Sequence, residues 1–179
     1  MIDLKSISDA NEQDLLVVLL DLTLFGQFTR DNPDRHVFEF LSSYFEFVGD
    51  IIIAAGGTVV EFVGDSGLFA FPEDKVDDGI MALLELKRSG DRWLKEHNSP
   101  CRNMIKAHLG SVVCGLRGAR EDKRFALVGD TVITAVTLDT RSFAISAQAF
   151  RKLKPETRKF FKKHTPPILY IPAGEKRPD

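Results

Sequence analysis

Gly56-Gly57-Thr58-Val59-Val60-Glu61-Phe62-Val63-Gly64-Asp65-Ser66-Gly67-Leu68-Phe69-Ala70-Phe71 is the stretch on which the reading of the fold turns. Its two leading glycines end whatever helix precedes them, since glycine is a poor helix former and a good terminator. Thr58 to Val63 and Leu68 to Phe71 are β-branched, aromatic and apolar, the composition of strands. Gly64-Asp65-Ser66-Gly67 joins them as a tight turn, so the pair reads as a β-hairpin that displays the Asp65 carboxylate at its tip.

Upstream, residues 1–14 read as a polar leader, and Leu15 to Leu20 is an unbroken aliphatic run. That run is too short for a helix and suits a strand buried on both faces. Asp21 follows it directly, so a second carboxylate sits at a strand end. Asn32-Pro33 reads as a helix start, with Asn as cap and Pro in the first turn. From there Val37, Phe40, Leu41, Tyr44, Phe45, Val48, Ile51 and Ile52 recur at helical spacing, predicting a long amphipathic helix. Downstream, a second helix is expected from about Lys75 to His97. Ile105 to Leu109, Val112 to Leu116 and Phe125 to Val128 read as strands, Asp130 to Leu138 as a helix, and Phe143 to Ser146 as a strand. Ala147 to Leu153 reads as a short helix and Ile168 to Ile171 as the last strand. The expected architecture is α+β, a largely antiparallel sheet with helices over one face, in one domain spanning residues 15–179.

The totals narrow the function. The chain has 179 residues, 44% hydrophobic and 28% charged, with a formal net charge of −2. Sequence-independent binding to nucleic acid needs a basic footprint, which this balance does not supply. No apolar run approaches the roughly 20 residues of a membrane span, and the acidic, polar start resembles neither a signal nor a transit peptide. A cytoplasmic protein without a direct membrane span is the expectation. Cys101 and Cys114 lack any CxxC or histidine partner at ligand spacing and read as buried thiols of a reducing compartment. His36, His97, His108 and His164 show no metal-ligand spacing, and His108 reads as a satisfied near-core histidine. The basic run from Arg151 to Lys163 reads as a solvated helix and loop, with contact to an acidic partner or anionic lipid as the sharper alternative.

Three stretches together resemble the catalytic domain of class III adenylyl and guanylyl cyclases. Val17 through Gly26 is similar to that family's FADIxGFT segment, and Gly56 through Asp65 to its GG-xVxK-xxGD segment. Lys106 to Gly110, Cys114-Gly115 and Val128 to Val132 are similar to GIHxG…G…GxxVN, and Phe143 to Ser146 sits where the family has its late I-x-I-S strand. The resemblance implies a ferredoxin-like cyclase fold working as a dimer. In that family one subunit gives two carboxylates that hold Mg or Mn ions on a nucleoside triphosphate, and the other gives base-selecting and transition-state groups.

By that resemblance the metal residues are Asp21, Leu22 and Asp65, and the nucleotide-binding residues are Phe25, Gly26 and Arg120. Arg117 or Lys123 takes the place of Arg120 if the loop register differs. Leu24 adds bulk where the family has glycine. The partner's half is replaced: Glu61 and Ala126 stand at the base-selecting positions, Ile133 at the asparagine and Thr137 at the transition-state arginine. Loss of one oriented donor costs about 10²–10³ in rate. The expectation is therefore a regulatory or interaction module in signalling. It would pair as a homodimer or as a heterodimer with another cyclase-like chain, and hold nucleotide and divalent metal without turnover. The alternative is the metal-bearing half of a heterodimeric cyclase, active only with a complementary partner. A third reading gives the old cleft, made less polar by Ala126 and Ile133, to a different ligand.

Overall fold

A computed structural model describes residue 4 and residues 9–174. The aliphatic run becomes the central strand β1 (Asn11–Thr23), which starts before Leu15, inside the stretch read as leader, and runs on past Asp21. Two helices follow, α1 (Phe25–Asp31) and α2 (Asp34–Ala54). Asn32 does not cap α2 as expected. Its side-chain amide donates to the Phe28 carbonyl at 2.8 Å and so closes the end of α1, a short helix that the pattern alone did not reveal.

The decisive stretch folds as read. Strands β2 (Thr58–Val63) and β3 (Ser66–Pro72) flank a turn of Gly64 and Asp65, and Gly64 takes φ +58, where a side chain would be strained. A single 3₁₀ turn (Glu73–Lys75) leads into α3 (Val76–Glu96). The two strands expected at Ile105 and Val112 are one continuous strand, β4 (Arg102–Ala119), because Gly110 and Ser111 between them stay in register with β1. The rest is β5 (Asp122–Val128), α4 (Asp130–Thr137), β6 (Phe143–Ser146), α5 (Ala147–Lys152), α6 (Pro155–Arg158), β7 (Phe161–His164) and β8 (Leu169–Pro172).

The strands form one eight-stranded sheet in the order β2-β3-β1-β4-β6-β8-β7, with β5 extending β4. Only β4 and β6 run parallel; every other pair is antiparallel. Side chains of β1 alternate between faces. Leu16, Val18, Leu20 and Leu22 meet Phe40, Tyr44, Val48 and Ile52 of α2 and Ile80, Leu83 and Leu86 of α3 in the main core. Leu15 and Val17 point the other way, toward Val112, Leu127 and Ala135 of α4 in a second cluster. Helices therefore cover both faces, which corrects the one-face expectation. With β1 buried on both sides, its unbroken aliphatic pattern has its reason.

A buried polar clasp fixes the end of the sheet near Asp21. The Tyr44 hydroxyl donates to Asn103 Oδ1, and the Asn103 backbone and side-chain amides both donate to Asp91 Oδ1, at 2.7 and 3.2 Å. Lys87 donates to the Asn103 carbonyl at 2.7 Å and pairs with Asp91 at 2.9 Å. Asn103 is the register partner of Leu22, so α2, α3 and β4 are tied together one residue from the candidate metal position. The basic C-terminal run is only partly solvated: Lys154 N–H and Thr157 Oγ1 bind Asp77, and Lys152 pairs with Glu73.

Candidate functional site

Strand β1 delivers Asp21 to one end of the sheet, at the point where the β2–β3 turn delivers Asp65. Leu20 is paired with Gly67, so the next residue along β1 falls beside the turn. Asp21 Oδ1 accepts from the Leu22 amide at 3.1 Å and from Ser66 Oγ at 2.9 Å. The Asp65 carboxyl is raised above its ordinary value by burial first and by the negative charge of Asp21 second, with the two carboxyl groups in hydrogen-bonding reach. The sequence-predicted pair is therefore one site.

Leu22 joins them through its main chain only, because its side chain is 4% exposed and packs in the core. Among the described residues no Lys or Arg forms an ion pair with either carboxylate, and no three His, Cys, Asp or Glu side chains gather around one point. Two adjacent carboxylates with no countercharge fit a hard divalent cation, and Mg²⁺ in particular takes one or two carboxylates and completes its shell with water and phosphate oxygens. Asp21 and Asp65 would hold such an ion, which would supply charge neutralisation to a bound phosphate.

The loop after Asp21 keeps a glycine-like backbone without the glycine. Leu24 sits at φ +61 and ψ +12, the left-handed region, and its carbonyl accepts from Gln27 and Phe28 to open α1. An ordinary side chain there costs about 1–2 kcal/mol. Phe25 packs against the main core, and Gly26 is exposed; a Cβ on Gly26 would find only Arg30 Nη1, at 3.7 Å, so packing does not demand glycine there. Arg120 is not gathered with these residues. It lies in the exposed turn between β4 and β5, 16 residues along the chain (104 to 120) from Met104, the β4 partner of Asp21. Arg117 and Lys123 stand on the same exposed hairpin.

One residue of the site escaped the sequence reading. Ser66 anchors Asp21, and its signal was a hydroxyl directly after the turn carboxylate.

One of the replaced positions, Glu61, lines a second, less polar cleft, and Ala126, Ile133 and Thr137 lie outside its lining. A cavity of about 190 Å³ is lined by Leu19, Val63 and Leu68 of the sheet, by Val132 and Val136 of α4, and by Glu61, Ser66 and Gly67. Glu61 is its single charged group, re-aimed by the bulge between Val59 and Glu61. Ile133 is 62% exposed on α4, and the Thr137 hydroxyl donates to the Ile133 carbonyl at 2.8 Å, within its own helix. Ala126 lies on β5 opposite Gly115, half-buried. None of the three carries a charge or an amide toward a ligand. Phe62, Val63, Val113, Leu116, Val128, Ile133 and Val136 are all exposed apolar side chains.

No family model matches the chain. Adenylate cyclase 2 of Rhizobium meliloti (strain 1021) is 26% identical over 157 residues, covering 80% of this chain and 43% of the relative. The chain thus spans less than half of that curated relative's length. The crystal structure of the adenylyl cyclase CyaB from P. aeruginosa superposes with a TM-score of 0.80 at 15% identity, covering 94% of this chain and 98% of that one. The dimeric guanylyl cyclase domain of the RhoGC fusion protein from Blastocladiella emersonii superposes with a TM-score of 0.75 at 19% identity, covering 93% and 100%. No helix among the described residues is long and apolar enough to cross a membrane.

Proposed function

Taking the chain as what its fold makes it, a cyclase-homology domain, we propose that it acts as a regulatory or interaction module in signalling rather than as a self-sufficient enzyme. In this reading it pairs with a second copy or a related chain through the exposed apolar surface around α4 and the two hairpins, and it binds a nucleotide with a divalent cation without turning it over. One contrast carries the proposal. The carboxylates Asp21 and Asp65 are brought together, whereas the neighbouring cleft has Glu61 as its one charged side chain, and Ala126, Ile133 and Thr137 offer no cationic or amide side chain at the other replaced positions. A pentavalent phosphorus needs such donors aimed at its oxygens, and a charged finger of that type is worth about 10³–10⁵ in phosphoryl transfer.

The test is a thermal-shift titration of the purified chain with ATP and GTP, each with and without magnesium. A rise in Tm that requires both nucleotide and metal, and disappears in Asp21→Ala, is the expected result. Equal melting under all four conditions would leave the proposal without its ligand.

A second reading has one observation in its favour: the intact carboxylate pair is the contribution one subunit of a heterodimeric cyclase makes. With a partner that supplies lysine, aspartate, asparagine and arginine at the replaced positions, this chain would convert ATP or GTP to cyclic nucleotide and diphosphate. Activity that appears only in the mixture, and falls in Asp65→Ala, supports this reading over the first.

A further inference from the structure

His108, expected to be satisfied, has its Nδ1 buried out of reach of solvent and without a hydrogen-bond partner, so it offers nothing to a ligand. The basic run near the C-terminus offers more. Between Arg151 and Lys163 the chain carries seven Lys and Arg against one acid, Glu156, although its overall formal charge is −2. Some of that positive charge is committed. Lys152 pairs with Glu73, and Lys154 lies 3.7 Å from Asp77. Arg158 donates to the Arg151 carbonyl and sits over the Phe150 ring, 5.6 Å from its centre. Lys159 and Lys163 are exposed, and among the described residues no carboxylate pairs with either.

Phe160 directly follows Lys159. Its neighbour Phe161 turns into the main core, edge-on to Phe143, and Phe160 is left 50% exposed. The Phe160 main chain is held from both sides: its amide donates to the Thr157 carbonyl at 3.1 Å, and its carbonyl accepts from Ala173 at 2.8 Å. A fixed backbone thus presents an exposed ring. Across from it α3 turns out Met81, 40% exposed, and the half-buried Leu84, with Glu85 and Arg88 on the same helical stripe. These five side chains line an open groove of about 370 Å³. Glu85 and Arg88 pair with each other, so the lining itself is neutral. The excess charge comes from Lys159, beside Phe160, and from Lys163, which shares with Phe161 the face of β7 turned toward the main core. None of the five lines the Glu61 cleft.

A neutral groove with an apolar floor and unpaired lysines beside it fits a segment that is apolar on one side and acidic on the other. Its concave shape receives an inserted side chain, whereas a bilayer takes up apolar groups that project beyond the charges. Methionine at the rim adapts to the shape of what enters. We propose that this groove is a docking site for an acidic amphipathic helix of a partner protein. The helix seats an aliphatic or aromatic anchor between Phe160 and Met81 and sets its carboxylates against Lys159 and Lys163. This surface is separate from the one around α4 and the two hairpins, so it extends the module reading to a second kind of partner. Docking there requires neither nucleotide nor metal.

The experiment follows the fluorescence anisotropy of a labelled helical peptide of about 16 residues, with Leu and Phe on one face and Glu on the other, as the full chain is added. One counterpart carries Lys in place of Glu, a second carries Ala in place of Leu and Phe, and vesicles of phosphatidylcholine with phosphatidylserine are tested in parallel. The expected result is saturable binding of the acidic apolar peptide, weakened by salt, with slowed amide exchange over residues 81–88 and 159–163. Both counterparts should bind at least about tenfold more weakly, and so should Phe160→Ala bind the peptide, as loss of an anchor dictates. Joint Lys159→Glu and Lys163→Glu should weaken binding by a similar factor with the anchor still in place. If Phe160→Ala fails to fold, Met81→Asp, on the exposed side of α3, should show the same loss. All measurements are made without nucleotide or magnesium, so failure here and failure of the nucleotide reading are told apart. No saturable binding of the acidic apolar peptide, equal binding of either counterpart, or a preference for the vesicles would overturn the proposal. So would protection absent from those residues, or undiminished binding in the groove and lysine variants.

Discussion

Ser66 donates its hydroxyl to Asp21 Oδ1 at 2.9 Å, and through that bond the turn that carries Asp65 is fastened to the strand that carries Asp21. The bond holds two like charges side by side, an arrangement that opposes folding until something positive joins it. Asp65→Asn removes one of the charges. The variant should melt above the parent without divalent ions and lose the stabilisation that magnesium or manganese gives the parent. Calorimetric melting of both proteins, with and without metal, checks both signs.

Leu24 holds a left-handed backbone with an exposed side chain. Replacing it by glycine relieves about 1–2 kcal/mol of strain and returns part of that through the greater freedom of the unfolded chain. Leu24→Gly should stabilise the protein by roughly 0.5–1 kcal/mol in a urea titration and tighten nucleotide binding, because backbone then approaches the phosphate unobstructed. Leu24→Ala, which keeps the strain, should do neither.

Gly90 lies against the clasp beneath the site, where a Cβ would meet Asn103 Nδ2 at 2.6 Å and the Tyr44 hydroxyl at 2.9 Å. Gly90→Ala should therefore destabilise by about 1–3 kcal/mol despite alanine's better helix propensity. Tyr44→Phe should cost about 1–3 kcal/mol by leaving the Asn103 side-chain Oδ1 short of its donor. Denaturant midpoints of the two variants give both numbers.

The pH dependence has a definite sign at His108. Burial lowers its folded-state value below the ordinary 6.5, so the unfolded chain takes up the proton more readily. This contribution to stability is complete above about pH 6.5 and is lost as pH falls below it. Stability measured between pH 7.5 and pH 5 should fall less steeply in His108→Phe than in the parent.

How far the sequence reached depended on whether a feature was local. The Gly64–Asp65 turn, β2 and β6 were legible because period-2 patterning and turn residues lie within a few positions of one another. The pairing of Asp21 with Asp65 was legible only through the resemblance to the cyclase domain, since local pattern gave a strand end and a hairpin turn without placing them side by side. Helix α1 was not legible, because its start is a strained leucine rather than a capping residue. Nor was β7, whose Phe161-Lys162-Lys163-His164 run reads as a charged loop until β8 pairs with it. The second helical face stayed hidden because it takes the register of α4 against β1 to reveal it. Arg120 shows the limit from the other side, since a residue matched by motif still depends on where a long hairpin turns.

If the proposed nucleotide places its base in the cleft that Glu61 lines, that carboxylate would make the cleft selective in one direction. A carboxylate accepts a pair of N–H donors side by side, which guanine offers at N1 and N2, whereas adenine offers an acceptor next to its amino group. With magnesium present, GTP should raise Tm more than ATP, and Glu61→Gln should shrink the difference. A larger shift with ATP would mean that Glu61 does not face the base.

The central claim is that cations can be gathered here while the reacting phosphorus cannot be steadied. Incubating the purified chain alone with manganese and ATP or GTP, and separating the products by chromatography, addresses it most directly. The account predicts recovered nucleoside triphosphate and no cyclic nucleotide; cyclic AMP or cyclic GMP whose formation stops in Asp21→Ala would contradict it.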